Sequence, residues 1–347
     1  MDADPPTVLA LRALGLGDVL TAVPALRALA ETFSDRPRVF AGPAALAPLA
    51  TLAGFEAHVE VRSLDDMAPV TPPHVAVNLH GRGPQSHRLL LGMRPKALLA
   101  FAHPEVPESR GGPAWGEDEH EVERWCRLVR SAGIACDPTR LDIEPPPGHV
   151  PAAAGATLVH PGAATAARRW PVERWARVAH RELAEGRRVV VTGSAAERDL
   201  AHDLARRAGV PDRDVLAGRT DVLTLARVVA AVDVVLCGDT GVAHLATALG
   251  TPSVVLFGPT SPARWGPPRD RPQHRVLWAG LTGDPHADVP SEGLLMIEAD
   301  DVVREVDRLR SPGWGRARSE AAALVSASAE PGSARGRAPT RRRSPLR

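Results

Sequence analysis

The sequence has no tyrosine, a single lysine (Lys96), three cysteines, and only 3% aromatic residues in all. Basic residues are almost all arginine, as GC-rich codon usage produces, so an arginine is accepted below wherever chemistry asks for a positive side chain. Cys126, Cys136 and Cys237 show neither CxxC spacing nor a paired pattern. That excludes a zinc ribbon or a disulfide framework and fits a reducing cytoplasm. Long apolar runs are missing too. The opening MDADPPTVLALRALGLGDV has no basic region before its apolar run and meets Asp18 too early for a signal peptide or a membrane span, and the other runs are strand-sized. A basic patch interleaved with aromatics is also lacking, so no nucleic-acid partner is expected. A cytoplasmic monomer is the expectation.

What is present is the composition of a globular α/β protein, with 44% hydrophobic and 24% charged residues in 347, enough chain for two domains of ordinary size. The net charge of +1 hides an asymmetry, because residues 316–347 carry eight arginines against two glutamates. This tail, built of Ala, Ser, Pro and Arg, cannot bury a core and is expected to be disordered. It is either a solvated end or a patch that touches anionic lipid at the inner face of the membrane.

Val232–Leu236 and Pro252–Phe257 are short, β-branched apolar runs of the kind that form buried parallel strands. Between them Val242, Leu245, Ala246 and Leu249 make one apolar helical stripe, with Thr240 and His244 opposite. Gly238-Asp239-Thr240-Gly241 therefore places small residues and free amides at a helix amino end, which suits a phosphate or diphosphate. Simple N-capping by Asp239 or Thr240 is the other reading. A second polar loop, Phe257-Gly258-Pro259-Thr260, follows the next strand on the same sheet edge, where open α/β sheets bind ligands.

The amino-terminal end repeats the pattern. Thr7–Leu11 reads as a strand, Gly15-Leu16-Gly17-Asp18 as a turn and Val19–Thr32 as a helix, although LGLGD is not the full dinucleotide fingerprint. Further β and α signals follow to a helix near Asp118–Ala132, and after the stiff connector Pro145–Gly148 the rhythm restarts with strands at Thr157–His160 and Arg188–Thr192. A short strand at Val215–Ala217 is also expected. The predicted organisation is an amino-terminal Rossmann-like domain (1–148), a second one (149–315) and the basic tail (316–347), with parallel sheets facing a central cleft.

Three blocks then resemble a known family. Asp239-Thr240-Gly241-x-x-His244 with Leu256-Phe257-Gly258-Pro259-Thr260, His160-Pro161-Gly162-Ala163 with Arg168-Arg169-Trp170-Pro171, and Gly17-Asp18-Val19-Leu20 with Pro24 are similar to glycosyltransferase family 9, the ADP-heptose:lipopolysaccharide heptosyltransferases. The resemblance spans about residues 7–310. It implies a GT-B fold and inverting transfer of a sugar, a heptose carried by ADP, from a nucleotide-sugar donor to a glycan or glycolipid acceptor, as in lipopolysaccharide biosynthesis. The acceptor class stays open among a glycolipid, another envelope glycan and a metabolite. A GT-B epimerase or hydrolase, or a non-catalytic nucleotide-sugar binding protein, is the alternative.

Such a transfer needs stabilisation of the leaving diphosphate and a base for the attacking hydroxyl. For the first, the resemblance implies Thr240 and Gly241 with Arg168, which stands where the family has lysine; Arg169 beside it is the substitute. Arginine is a planar fork in place of a point charge. Asp239 is expected to bond helix amides or donor hydroxyls, and His244 to approach the donor or line the cleft. Glu197 and Thr220 either meet the nucleotide or act as caps. Asp18 is the expected base, with N-capping as its competing role. His80 and Arg82 are expected on the acceptor side. No D-x-D pair occurs where a metal-dependent transferase would need one, Asp65-Asp66 lying in a loop of the wrong domain, so neither metal nor cofactor is expected.

Overall fold

A computed structural model describes residues 7–68 and 70–311 of the chain; the expected disorder of 316–347 lies outside the described residues. In chain order the first half forms β1 (Val8–Leu11), α1 (Leu16–Thr21), α2 (Val23–Thr32), β2 (Arg38–Gly42), α3 (Ala47–Leu52) and β3 (Ala57–Ser63). It continues with β4 (Asp66–Met67), β5 (Val75–Asn78), α4 (Gln85–Gly92), β6 (Ala97–Leu99) and α5 (Glu121–Ser131). These strands make a six-stranded sheet in the order β4-β3-β2-β1-β5-β6. β1 is central and fully buried, pairing in parallel with β2 (Val8 opposite Arg38) and with β5 (Val8 opposite Val75). β4 runs antiparallel at the edge and takes Asp66 into a strand rather than a loop.

The second half begins with β7 (Thr157–His160), α6 (Val172–Ala184), β8 (Val189–Val191), α7 (Arg198–Ala208) and α8 (Val222–Ala231). It continues with β9 (Val234–Gly238), α9 (Gly241–Leu249), β10 (Ser253–Phe257), α10 (Pro262–Trp265), β11 (His274–Trp278), α11 (Glu292–Leu295) and α12 (Ala299–Arg310). Its five-stranded sheet is parallel throughout, in the order β11-β10-β9-β7-β8. The strand expected at Val215–Ala217 is reduced to one bridge between Val191 and Val215. Pro145–Gly148 falls in the irregular segment between α5 and β7, where the division into 1–148 and 149–315 is proposed.

One local departure shapes the site. The single helix expected over Val19–Thr32 starts three residues earlier, at Leu16, and is interrupted at Ala22. Pro24 has no N–H to give to the carbonyl four residues back and its ring crowds that carbonyl, so α1 stops at Thr21 and α2 restarts with the proline in its first turn. Asp18 consequently stands inside the first turn of α1, not ahead of it, and Gly15 is the N-cap.

Both sheets belong to one compact unit that extends through Val306; a second begins at Asp307, within α12. Inside the first unit the core is continuous, since Val19 and Leu20 of α1, Trp125 of α5, Val228 of α8, and Leu245 and Ala246 of α9 pack in one apolar cluster. Each fully buried leucine or valine in it contributes roughly 1.5–3 kcal/mol relative to exposure. α1 and α9, one from each sheet, meet closely at their amino ends. A Cβ on Gly17 would lie 2.7 Å from His244 Cδ2, and one on Gly241 would lie 2.7 Å from Leu16 Cβ and 3.0 Å from the Gly17 nitrogen. Both positions need glycine because backbone meets backbone there. Among the described residues no helix is long and apolar enough to cross a membrane.

Candidate active site

The carboxyl ends of β7, β8 and β9 open on a cavity of about 300 Å³. Its walls include His160, Ser194, Glu197, Thr220, Thr240 and Gly241, with Leu16 of α1 as the contribution from the first half. Four of the expected donor residues, Thr240, Gly241, Glu197 and Thr220, therefore come together in one place. Helix geometry leaves the first amides of α9 without intrahelical partners. Thr240 Oγ1 accepts the Val242 N–H at a long 3.4 Å, so the cap is loose and the amino end of the helix borders the cavity. Glu197 accepts the Ser194 N–H at 2.8 Å and is folded over Gly162, where any side chain would collide with its carboxylate. His160 is buried, hydrogen-bonded through Nδ1 to Thr192 Oγ1 at 3.0 Å, and held neutral by burial against the opposing pull of Glu197.

Arg168 and Asp239 face each other, with Arg168 Nη1 3.8 Å from Asp239 Oδ2. The expectation that Asp239 bonds helix amides does not hold for Oδ2, which is buried with no hydrogen-bond partner; Arg168 Nε and Ser291 Oγ are unmet as well. Burial pushes the Asp239 carboxyl up to about 6 against the pull of Arg168. Unmet buried polar atoms are costly, and the Arg168–Asp239 pair suits a polar ligand that supplies the missing partners, although none of Arg168, Asp239 and Ser291 is among the walls of the cavity. Ser291 reaches this group because its N–H donates to the Ala167 carbonyl at 3.1 Å and its hydroxyl lies against Gly258. No local pattern near Ser291 signals this in the sequence. Arg169 is exposed and donates from Nε to the Ala163 carbonyl at 3.0 Å. Trp170 and Trp175 pack edge to face at 4.7 Å.

His244 is not among the cavity walls. Its ring sits against Gly17 and 5.8 Å from the ring of Trp265, and burial, with the charge of His120, pushes it down to about 4. It lines the joint between α1 and α9 as a neutral imidazole. A second cavity of about 330 Å³, walled by residues such as Val122, Leu141, Pro262 and Pro267, shares no residue with the first.

On the other side of the joint Asp18 is held from both ends. Its Oδ2 accepts the Gly15 N–H at 3.1 Å and its Oδ1 the Arg12 Nη2–H at 3.2 Å, and 27% of the side chain stays exposed. The carboxylate thus serves the amino end of its own helix from the third helical position, not as the expected N-cap, which is Gly15, while keeping an open edge. Burial raises its pKa, Arg12 opposes this, and Glu121 adds to the rise. His80 accepts the Ala13 N–H at Nδ1 (3.2 Å) and is pushed down to about 4 by burial and by the Arg12 charge. Arg82 is exposed and pairs with Glu117 at 3.1 Å. Arg12 and Glu121, which organise this corner, escape the sequence reading because in so arginine-rich a chain one more arginine after a strand carries no signal. Among the described residues no group of three or more His, Cys, Asp or Glu is placed to hold a metal ion.

Two Rossmann-like sheets whose strand ends share one joint define the GT-B class. Solved structures agree: the glycosyl transferase family 9 protein of Veillonella parvula (TM-score 0.72, 17% identity, covering 89% of this chain and 98% of its own) has the same fold. So do the ADP-heptose lipopolysaccharide heptosyltransferase II of E. coli (0.69, 19%, 87% and 98%) and the E. coli heptosyltransferase WaaC with ADP-2-deoxy-2-fluoro heptose (0.65, 20%, 87% and 99%). Residues 114–283 match the family model described as glycosyltransferase family 9 (heptosyltransferase). A comparison with curated sequences finds no match.

Proposed function

We propose that the chain is an inverting transferase that moves a sugar from a nucleoside diphosphate to an acceptor hydroxyl without a metal. The observation that carries this reading is the close approach of α1 and α9: Gly17, the residue before Asp18, packs against Gly241 at the amino end of the helix that borders the cavity. The diphosphate rests against Thr240 and Gly241, where amides and helix dipole favour negative charge, with Arg168 as the fork that takes up charge on the leaving group. Asp239 and Ser291 bond donor hydroxyls, and Glu197 and Thr220 hold the nucleoside. Asp18 accepts the proton of the acceptor hydroxyl as that oxygen bonds to the anomeric carbon and the bond to the diphosphate breaks.

The donor we favour is ADP-heptose or a close relative, supported by the family description and by the ligands named for the E. coli heptosyltransferases. The acceptor is a hydroxyl of a glycolipid, envelope glycan or metabolite, with His80 and Arg82 on its side, and the setting is the cytoplasm, for a monomer that contacts the membrane only peripherally. Calorimetric titration of the full chain with ADP, UDP and GDP tests the reading first. Preferential binding of ADP, followed by transfer from ADP-heptose with inverted anomeric configuration by NMR, is the expected result; no binding of any diphosphate would overturn it.

A further inference from the structure

The base assigned to Asp18 sits at the end of a ladder of alternating charge. Arg12, fully buried, donates from Nε to the Asp18 carbonyl at 3.0 Å and from Nη1 to the Leu79 carbonyl. From Nη2 it reaches Asp18 Oδ1 at 3.2 Å and Glu121 Oε1 at 3.0 Å. Its guanidinium lies 4.5 Å over the ring of Trp125, whose own Nε1–H donates to the same Glu121 oxygen at 2.9 Å. The other Glu121 oxygen is bound by Arg124, which sits 4.3 Å over Trp115 and 3.9 Å from Glu119, and Glu119 is gripped twice by Arg127 at 2.7 Å.

Stability alone accounts poorly for this construction, because buried ion pairs are frequently matched by apolar residues of similar volume. What an arginine fork adds is geometry: bonds to both the carboxylate and the main chain of one residue fix the rotamer as well as the charge. We propose that Arg12 and Glu121 are a positioning pair for Asp18. Arg12 aims the carboxylate by its Oδ1, while Oδ2, which accepts the Gly15 N–H through one lone pair, offers the other to the reacting hydroxyl, and Glu121 absorbs part of the Arg12 charge so that Asp18 keeps its affinity for a proton. Neither residue touches substrate. The inference rests on the transferase reading above.

The charged and titratable groups around Asp18 are Arg12 at the end of β1, Glu121 with Arg124 behind it on α5, His120 at the start of α5, His80 after β5, and His244 on α9. Only Arg12 and Glu121 act on the Asp18 charge directly, and with opposite sign. Two substitutions in one ion pair must therefore move the same carboxyl in opposite directions, and the kcat of a variant that restores the charge without the fork separates positioning from a purely structural role.

The test is titration of the Asp18 carboxyl by ¹³C NMR in the full chain, alongside the pH profile of kcat/KM. Arg12→Gln is expected to move the Asp18 titration and the acid limb to higher pH, and Glu121→Gln, which keeps the acceptor for Arg12 and Trp125, to lower pH. Arg12→Lys restores the position of the limb but not kcat, because charge returns without the fork, and KM for the donor is unchanged. Should Arg12→Gln fail to fold, Glu121→Gln and Arg12→Lys carry the test. A titration that stays put in Glu121→Gln, or full kcat in Arg12→Lys, overturns the inference. If Asp18→Asn keeps full transfer while the titrations shift as expected, the base assignment fails and the inference with it; if Asp18→Asn is dead and the titrations do not move, the positioning pair alone fails.

Discussion

Arg12 and Asp239 each follow directly on a central parallel strand, β1 in one sheet and β9 in the other, and both are buried, yet they are treated in opposite ways. Arg12 is surrounded by oxygens of Asp18, Leu79 and Glu121 and by the face of Trp125. Asp239 has a distant arginine and an oxygen that bonds nothing. A saturated buried charge holds its own neighbours in place; an unsaturated one is tolerated at a cost where a ligand completes it. The first sheet has thus finished its strand-end chemistry internally, and the second has left a buried carboxylate oxygen unmet.

Substitutions at the two corners should separate these roles. The largest effect is expected from Asp18→Asn, which lowers transfer by roughly a thousandfold, within the usual range for loss of a general base, while calorimetry shows ADP binding unchanged; loss of binding instead would make the first corner part of the donor site. Next comes Asp239→Asn. With its carboxyl at about 6 in the native state against 3.8 for the free side chain, the native protein holds a proton between pH 4 and 6 that the unfolded chain has released. The stability it contributes therefore falls as pH rises through that window, by about 3 kcal/mol. The asparagine variant, followed by urea unfolding, should gain on the parent between pH 4 and 6 and hold a constant advantage above. His80, His244 and His274, each pushed down to about 4, give the opposite slope, but in both proteins, so the difference isolates residue 239.

Arg168→Ala should weaken ADP binding about ten- to a hundredfold, the worth of about 1.5 to 3 kcal/mol from a charged hydrogen bond, and Arg169→Ala should leave it unchanged; the reverse result would transfer the phosphate role to Arg169. Smallest of all, Arg82→Ala breaks only an exposed pair with Glu117 and should alter stability by less than about 0.5 kcal/mol.

Much of this was legible before any coordinates. Two βα series separated by a proline connector announce two parallel sheets, because buried strands and amphipathic helices leave periodic apolar marks. The glycine turn before α9 and the HPG block were visible for the same reason: small residues stand where backbone must approach something. Other features had no local mark. Pro24 stands inside the helix expected over Val19–Thr32, but neither the cut at Ala22 nor the start at Leu16, which puts Asp18 in the first turn, is read from that window. Arg12 meets Glu121 across more than a hundred residues, and Ser291 meets Gly258 through a loop, so neither contact is written in any window of the chain. His244, placed by its helical spacing on the polar face, turned out to face Gly17 and Trp265 in the joint instead of the donor cavity. Helical phase gives a direction, but not what has been packed there.

The rings stacked around these corners also make the protein report on itself. With no tyrosine in the chain, ultraviolet emission comes mainly from its seven tryptophans, and two of them sit beside groups described above: Trp125 under the guanidinium that grips Asp18, and Trp265 beside a histidine that is neutral above about pH 4. A protonated imidazole quenches indole light and a neutral one does so far less. Trp265 emission is therefore hardly quenched by His244 near neutral pH, and acidification through about pH 4 dims it, so the light reports protonation at the joint of α1 and α9 without any label.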